Sequence, residues 1–195
     1  MTDRPLLLIR GTTALEAVPG FTPADEGAPV PAPTQSPLAY LEALASGGHF
    51  ADAAGFLASA LPRREAVWWA CRCSREALGD APSKEIDAAL RAAETWVASP
   101  GDVNRRKAMP QAEVVGFGHP AGCAGLAAFL SGGSLTPPDL KEVPPPEHAF
   151  ARAVAGSVVL ASVHGNSRAI VATRRKFVDI GLAVARGEDR WKDPT

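Results

Sequence analysis

The stretch from Leu61 to Leu78 constrains the fold of this chain more than any other part of its sequence. It reads LPRREAVWWACRCSREAL, and both of its ends carry residues that favour helix termini. Pro62 suits the first helical position, where its missing N–H costs nothing, and Gly79 is typical of the position just after a helix. Inside the stretch, apolar residues recur at helical spacing and form one stripe. The stretch therefore predicts an amphipathic helix with one buried face.

Two adjacent tryptophans in this helix point in different directions. Successive residues of an α-helix are rotated by about 100°, so Trp68 and Trp69 cannot share one narrow face. Trp69 lies on the apolar stripe and is predicted to be core. Trp68 is predicted to lie at a rim, framed at helical spacing by Arg64, Arg72 and Arg75, one of which could stack on its ring. The alternative is that both rings are buried between neighbouring helices and the arginines form a solvated edge.

Proline and glycine divide most of the remaining chain into further helical segments. Ser36-Pro37 and His119-Pro120 each mark the start of a helix. There is no convincing period-two alternation and no Asn-Gly hairpin signal. The connections are short, so neighbouring helices should be antiparallel or steeply crossed. The sequence predicts an all-α fold, with residues 36–195 forming a single compact bundle of about seven short-to-medium helices.

The first part of the chain has a different composition. Residues 1–35 are rich in Pro, Ala and Gly and predict an extended arm, with polyproline-like stretches around Pro29, Pro31 and Pro33. Leu6 to Ile9 form a short apolar run inside this arm. The run could pair with a partner protein, or it could pack against its own domain or fray.

Composition and charge exclude several classes of function. The chain has 195 residues, of which 46% are hydrophobic and 6% aromatic, so it has enough apolar surface for one core packed around small side chains. Its formal net charge is −1, which argues against a general nucleic-acid binder and against a polybasic membrane-surface protein. No apolar run approaches the roughly 20 residues of a membrane helix, and the N-terminal run is too short for a signal peptide.

Cysteine usage bears on the compartment and on metal binding. Three cysteines without a spacing framework indicate a reducing compartment, so we expect a cytoplasmic protein. Cys71 and Cys73 are about 200° apart on a helix and cannot share a zinc ion, so they are interpreted as small hydrophobic residues. No two of the four histidines form the i, i+4 pair of a helical metal site. We therefore predict no metal and no cofactor.

One pair of reactive side chains leaves an alternative open. His119 lies four residues before Cys123, so a thiol and an imidazole could meet one helical turn apart. No third orienting group is evident near them. A small-ligand pocket or an enzyme active site near His119 and Cys123 is the alternative to a binding protein. A structural homo-oligomer, built on the Gly/Ala-rich segment from Pro120 to Leu130, is a further alternative.

Basic residues supply the other candidate contacts. One cluster contains Arg105 and Arg106, and a second runs from Arg174 to Lys176. Each could dock an acidic partner surface, although a solvated helix face has the same pattern. Tryptophan and arginine are enriched at the energetic centres of protein interfaces. The candidate protein-binding residues are Trp68, Arg72, Arg75, Arg105 and Arg106.

Several segments together resemble a known family. They are LPRREAVWWACRC, WVASPGDVNRRKAM, GHPAGCAGLAAFLSGGSLTPP and the closing GLAVARGEDRW, with Val67 to Cys71 the most distinctive. The chain from about Ser36 onward resembles an uncharacterised bacterial family whose genes often lie near type VI secretion spike and effector genes. The resemblance implies a cytoplasmic accessory protein, an adaptor or co-chaperone for loading a secreted effector. It carries over no catalytic residue.

The expected function is therefore a non-enzymatic adaptor that binds another protein. It is motivated by the missing catalytic constellation, the near-zero charge and the Trp/Arg candidates. The expected partner is a protein, such as a secreted effector or its chaperone, and neither a nucleic acid nor a membrane.

Overall fold

The computed structural model describes residues 5–164 and 167–192. Within these ranges every regular element is helical and there is no strand, so the prediction of an all-α fold is confirmed. The described residues contain eight helices of ten residues or more, whereas the sequence predicted about seven. The helices are α1 Ala14–Ala17, α2 Pro37–Ser46, α3 Phe50–Ala60, α4 Arg63–Leu78, α5 Lys84–Ala98, α6 Asp102–Val115, α7 Pro120–Phe129, α8 Ala149–Val163 and α9 Ile170–Ala185, the last preceded by a 3-10 turn at Ser167–Ala169.

Capping residues, prolines and glycines mark helix ends in this chain. The Ser36 side chain accepts a hydrogen bond from the Ala39 N–H and caps α2. Pro62 lies one residue before α4 rather than inside it, and Gly79 ends that helix with a φ of 70°. Pro110 lies within α6 and starts no new helix there.

None of the described helices combines the length and apolarity that a bilayer crossing requires.

Helix α7 packs among four others, α4, α5, α6 and α8. Its glycines allow a close approach to α6. A Cβ added at Gly122 would overlap the carbonyl oxygen of Gly116, and one at Gly125 would lie 2.9 Å from the Ala112 Cβ. The small-residue face of α7, which could have formed an interface between copies, is therefore covered by α6 within the same chain.

The tryptophan helix α4 crosses the core and touches α5, α7, α8 and α9. Trp69 is fully buried, which confirms its predicted core position. Its Nε1–H donates to the Phe177 carbonyl oxygen of α9 at 2.9 Å, so the buried indole has a partner for its polar group. Cys71 and Cys73 are also fully buried. Burial raises the pKa of both thiols, which fits their interpretation as small hydrophobic residues.

The N-terminal arm lies against the helices. The Leu8 N–H donates to a carbonyl at the C-terminal end of α9 at 2.9 Å, so the apolar run Leu6–Ile9 contacts its own chain. Further along, the Phe21 ring makes edge-to-face contacts with Tyr40 and Phe56, with centroids 6.1 and 5.3 Å away. These contacts attach the arm to α2, α3 and α9.

We expect Gly122→Ala to destabilise the fold by about 1–3 kcal/mol or more, because the new methyl group meets backbone that cannot move aside easily. The matched control is Gly55→Ala in α3, where the added Cβ has only an ordinary contact at 3.9 Å. Replacing a helical glycine there should stabilise the chain by about 0.5–1 kcal/mol. Urea unfolding measures both. A Gly122→Ala chain as stable as the wild type would contradict the close α6–α7 packing.

Candidate protein-binding groove

Two of the predicted binding residues, Trp68 and Arg72, line an open groove of about 890 Å³. Helix α4 supplies one wall, α5 another, and the segment that follows α9 closes the third side. We call this feature the Trp68 groove. Its lining consists of Trp68, Arg72, Arg91, Glu94, Thr95, Ala98, Glu188, Asp189, Arg190, Trp191 and Lys192.

The carboxylate of Asp189 holds Trp68 and Arg72 in place. Its Oδ1 accepts from the Trp68 Nε1–H at 2.9 Å, and its Oδ2 accepts from the Arg72 Nε–H at 2.9 Å. The Arg72 guanidinium carbon lies 5.8 Å from the centre of the Trp68 ring, within the range of a cation–π contact. Trp68 is half-buried, so the prediction that it lies at a rim beside an arginine is confirmed. The three side chains form a preorganised unit on the groove wall.

A second tryptophan lines the same groove. The Arg64 guanidinium carbon lies 4.0 Å from the centre of the Trp191 ring. Arg64 also donates to the Val97 and Ala98 carbonyls at the C-terminal end of α5. Because those carbonyls have no partner within the helix, Arg64 both caps α5 and supports Trp191.

Arg75 stands behind the groove rather than in its lining. Its guanidinium donates to the Asp87 carboxylate at 2.6 Å and to both oxygens of Glu94 at 2.8 and 2.9 Å. The hydrogen bonds to Glu94 raise the pKa of Arg75 most, and the hydrogen bond to Asp87 raises it further. This network ties α4 to α5 and fixes Glu94 on the groove wall.

Arg105 and Arg106 lie outside the groove and are engaged within the chain. Arg105 is only 3% exposed, and its guanidinium donates to the Phe129 and Ser134 carbonyls and to Asp102. Arg106 donates to the other oxygen of Asp102 at 2.6 Å. The hydrogen bond from Arg106 lowers the pKa of the Asp102 carboxyl most, and the one from Arg105 lowers it further. The structure therefore does not bring these two arginines together with Trp68. Arg105 connects α6 to the end of α7 and the following loop.

The thiol and imidazole of the alternative site are each bonded elsewhere. The Cys123 thiol donates to the Phe117 carbonyl oxygen at 3.0 Å, and burial raises its pKa. His119 caps α7, its Nδ1 accepting from the Ala121 N–H at 3.2 Å, and its ring meets the edge of His164. A buried thiol of raised pKa is the opposite of an activated thiolate. The geometry therefore favours the Trp68 groove over this pair.

A family model described as a family of unknown function, DUF6931, matches residues 40–185. The chain belongs to the DUF6931 family. The prediction of an uncharacterised family is thereby confirmed, and the match runs from within α2 to the end of α9 and includes the Trp68 wall of the groove. No curated protein and no solved structure matches the chain.

Asp189, which joins the two groove residues on α4, was not among the binding residues predicted from the sequence. It lies outside the stretch that matches the DUF6931 model, four residues after its end. The only local signal was an acidic residue next to Arg190 and Trp191, beyond the last helix. Its partner Trp68 is 121 residues earlier, a pairing that helical spacing cannot reveal.

We expect the chain to lose stability as the pH falls from about 7 towards 5, in part because of His119. Burial lowers the pKa of His119 below its ordinary value of 6.5, and the neighbouring His164 lowers it further. Below that value the unfolded chain binds the proton more readily than the folded chain, so acid favours unfolding. Protonation at Nδ1 also removes the acceptor that caps α7.

The variant that tests this is His119→Asn, because asparagine caps helices well and does not titrate. Urea unfolding at pH 7.5 and pH 5.0 should show a smaller loss of stability in His119→Asn than in the wild type. His148→Asn, at an exposed cap in a left-handed conformation that asparagine tolerates, is the control. An unchanged pH dependence in His119→Asn would refute the role assigned to His119.

Proposed function

We propose that this member of the DUF6931 family is a non-enzymatic adaptor that binds another protein in the Trp68 groove. The observation that carries the proposal is the unit of Trp68, Arg72 and Asp189 on the groove wall, with Trp191 lining the same groove. Trp and Arg dominate the binding energy of many interfaces. Here their side chains are already held in one geometry, so a partner would order few of them on binding.

The openness of the groove favours a polypeptide over a small molecule. Small-molecule sites are concave and mostly apolar, and they enclose most of the ligand. The Trp68 groove instead is open, and charged side chains alternate with the two indoles along its walls. An extended segment of a partner could lie along it and place an apolar side chain against an indole.

Charge indicates the chemistry of that segment. Arg91 and Arg72 are the more accessible members of their ion pairs: 74% and 45% of their side chains are accessible, against 28% for Asp87 and 20% for Asp189, their respective partners. Glu94, which Arg75 binds, is 27% accessible. Arg190 and Lys192 add two more exposed cations, against the exposed carboxylate of Glu188. The accessible charge is therefore mainly positive. We infer that the partner offers an acidic segment with at least one apolar anchor.

The finer proposal concerns the biological setting. The resemblance described above points to type VI secretion, in which this chain would be a cytoplasmic adaptor or co-chaperone for a secreted effector. The absence of a bilayer-crossing helix among the described residues is compatible with that setting. The resemblance alone supports the link to secretion, and the groove supports protein binding independently of it.

The test is capture of partners from the native host by the purified chain, followed by mass spectrometry and by affinity measurement on the captured protein. Trp68→Ala and Arg91→Glu should each weaken binding, and removal of a central Trp typically costs about 2 kcal/mol or more, roughly 30-fold in affinity. Binding to wild type should also weaken as salt is raised.

Lys107→Glu is the matched control, since Lys107 is exposed on α6 outside the groove and the variant makes the same change of charge as Arg91→Glu. Circular dichroism and thermal unfolding establish that the variants are folded. A partner that binds Trp68→Ala, Arg91→Glu and Lys107→Glu equally well would show that the groove is not the binding surface.

A further inference from the structure

A second cluster of polar side chains lies where the N-terminal arm meets α3. Asp25 of the arm, His49 just before α3 and Asp52 in its first turn each offer one potential ligand atom, and these atoms lie within 4.8 Å of one another. His49 Nδ1 and Asp25 Oδ2 are 2.8 Å apart. All three residues line one cleft of about 370 Å³.

The local sequence explains how two of these side chains share a face. His49 and Asp52 are three residues apart at the start of a helix, a spacing that places side chains on the same side. Asp25 is brought to them by the docking of the arm. The orientation of Asp52 is fixed in advance, because its Oδ1 accepts from the Ala24 N–H at 2.6 Å and its Oδ2 from the Asp25 N–H at 3.4 Å.

The charge on Asp52 is the observation that points to a ligand. Asp52 is only 5% exposed, and among the described residues its carboxylate is bonded by backbone N–H groups alone. Arg174 lines the same cleft, but its guanidinium lies over the Phe50 ring, 5.4 Å from the ring centre, and forms no ion pair with Asp52. A buried carboxylate without a cationic partner is costly, and a second carboxylate nearby adds to that cost. A bound cation would remove both penalties.

We propose that Asp25, His49 and Asp52 bind a divalent first-row transition metal ion, such as Zn²⁺ or Mn²⁺. One imidazole nitrogen and two carboxylate oxygens suit these ions, whereas Mg²⁺ and Ca²⁺ take oxygen ligands. His49 would bind through Nδ1 after the proton on that atom leaves to solvent, and Asp25 would exchange its hydrogen bond to His49 for the metal. The remaining coordination positions are left for water.

Metal binding is predicted to stabilise the docking of the arm. Two ligands belong to α3 and its cap, and the third belongs to the arm, so the metal would cross-link the arm to the body of the domain. The site shares no residue with the Trp68 groove. The proposal therefore stands or falls independently of the adaptor function.

The test uses the full-length, tag-free chain after treatment with a chelator. Titration with Zn²⁺ by calorimetry should show one ion bound per chain, and Co²⁺ should give visible absorption bands of a nitrogen- and oxygen-ligated site. Asp25→Asn and His49→Ala should each weaken Zn²⁺ binding by at least about tenfold. Zn²⁺ should raise the melting temperature of the wild type and protect the arm from proteolysis, and both effects should be lost in these variants.

Asp25→Asn and His49→Ala are preferred to Asp52→Asn because they leave the hydrogen bonds between Asp52 and the arm intact. His119→Ala is the control, since His119 lies outside the cleft and its ring contacts a second histidine, His164. It should bind Zn²⁺ as the wild type does. The proposal is overturned if no saturable one-to-one binding occurs, which would leave only the hydrogen bond between His49 and Asp25. Equal affinity in His49→Ala and the wild type would also overturn it.

Discussion

The burial of Trp69 against helix α9 is the contact on which the rest of the structure depends. The indole is fully buried, and its Nε1–H donates to the Phe177 carbonyl oxygen. It packs on the backbone of α9 at Gly181, where a Cβ would lie 2.9 Å from the ring and would overlap Leu57 of α3. A large ring, a glycine and a leucine therefore join three helices that are far apart in sequence. Truncation of a buried Trp typically costs about 3–5 kcal/mol, more than most single contacts in a domain of this size.

The same contact determines where the groove forms. With Trp69 locked in the core, the rotation of about 100° between neighbouring residues turns Trp68 outward. Because Trp69 holds α9 in position, the segment after α9 brings Asp189 within hydrogen-bond distance of the Trp68 Nε1–H. The two halves of the candidate binding surface are thus brought together by one buried ring. This link explains how a core position and a surface position can be adjacent in sequence and depend on each other.

Features whose physical signal is local could be predicted from the sequence. Helical period and caps such as Ser36 sufficed for the all-α fold, and the stripe on α4 distinguished the fully buried Trp69 from the half-buried Trp68. The position of a side chain could not be predicted where it depends on a partner that is distant in sequence. Arg105 has the pattern of a solvated basic cluster, but it is buried because three acceptors from α6, α7 and a loop surround it. The approach of Asp25 to His49 likewise depends on how the arm docks, and no periodicity within the arm records that.

Hydrogen exchange of the indole N–H groups tests the central role of Trp69 most directly. In a chain labelled with ¹⁵N-tryptophan, the four indole signals can be followed separately in deuterated buffer. The account predicts that the Trp69 N–H exchanges more slowly than that of Trp68, and only through global unfolding, so that its exchange free energy equals the free energy of unfolding and falls with urea. Exchange of Trp69 as fast as that of Trp68, and insensitive to urea, would show that the ring is not locked against α9.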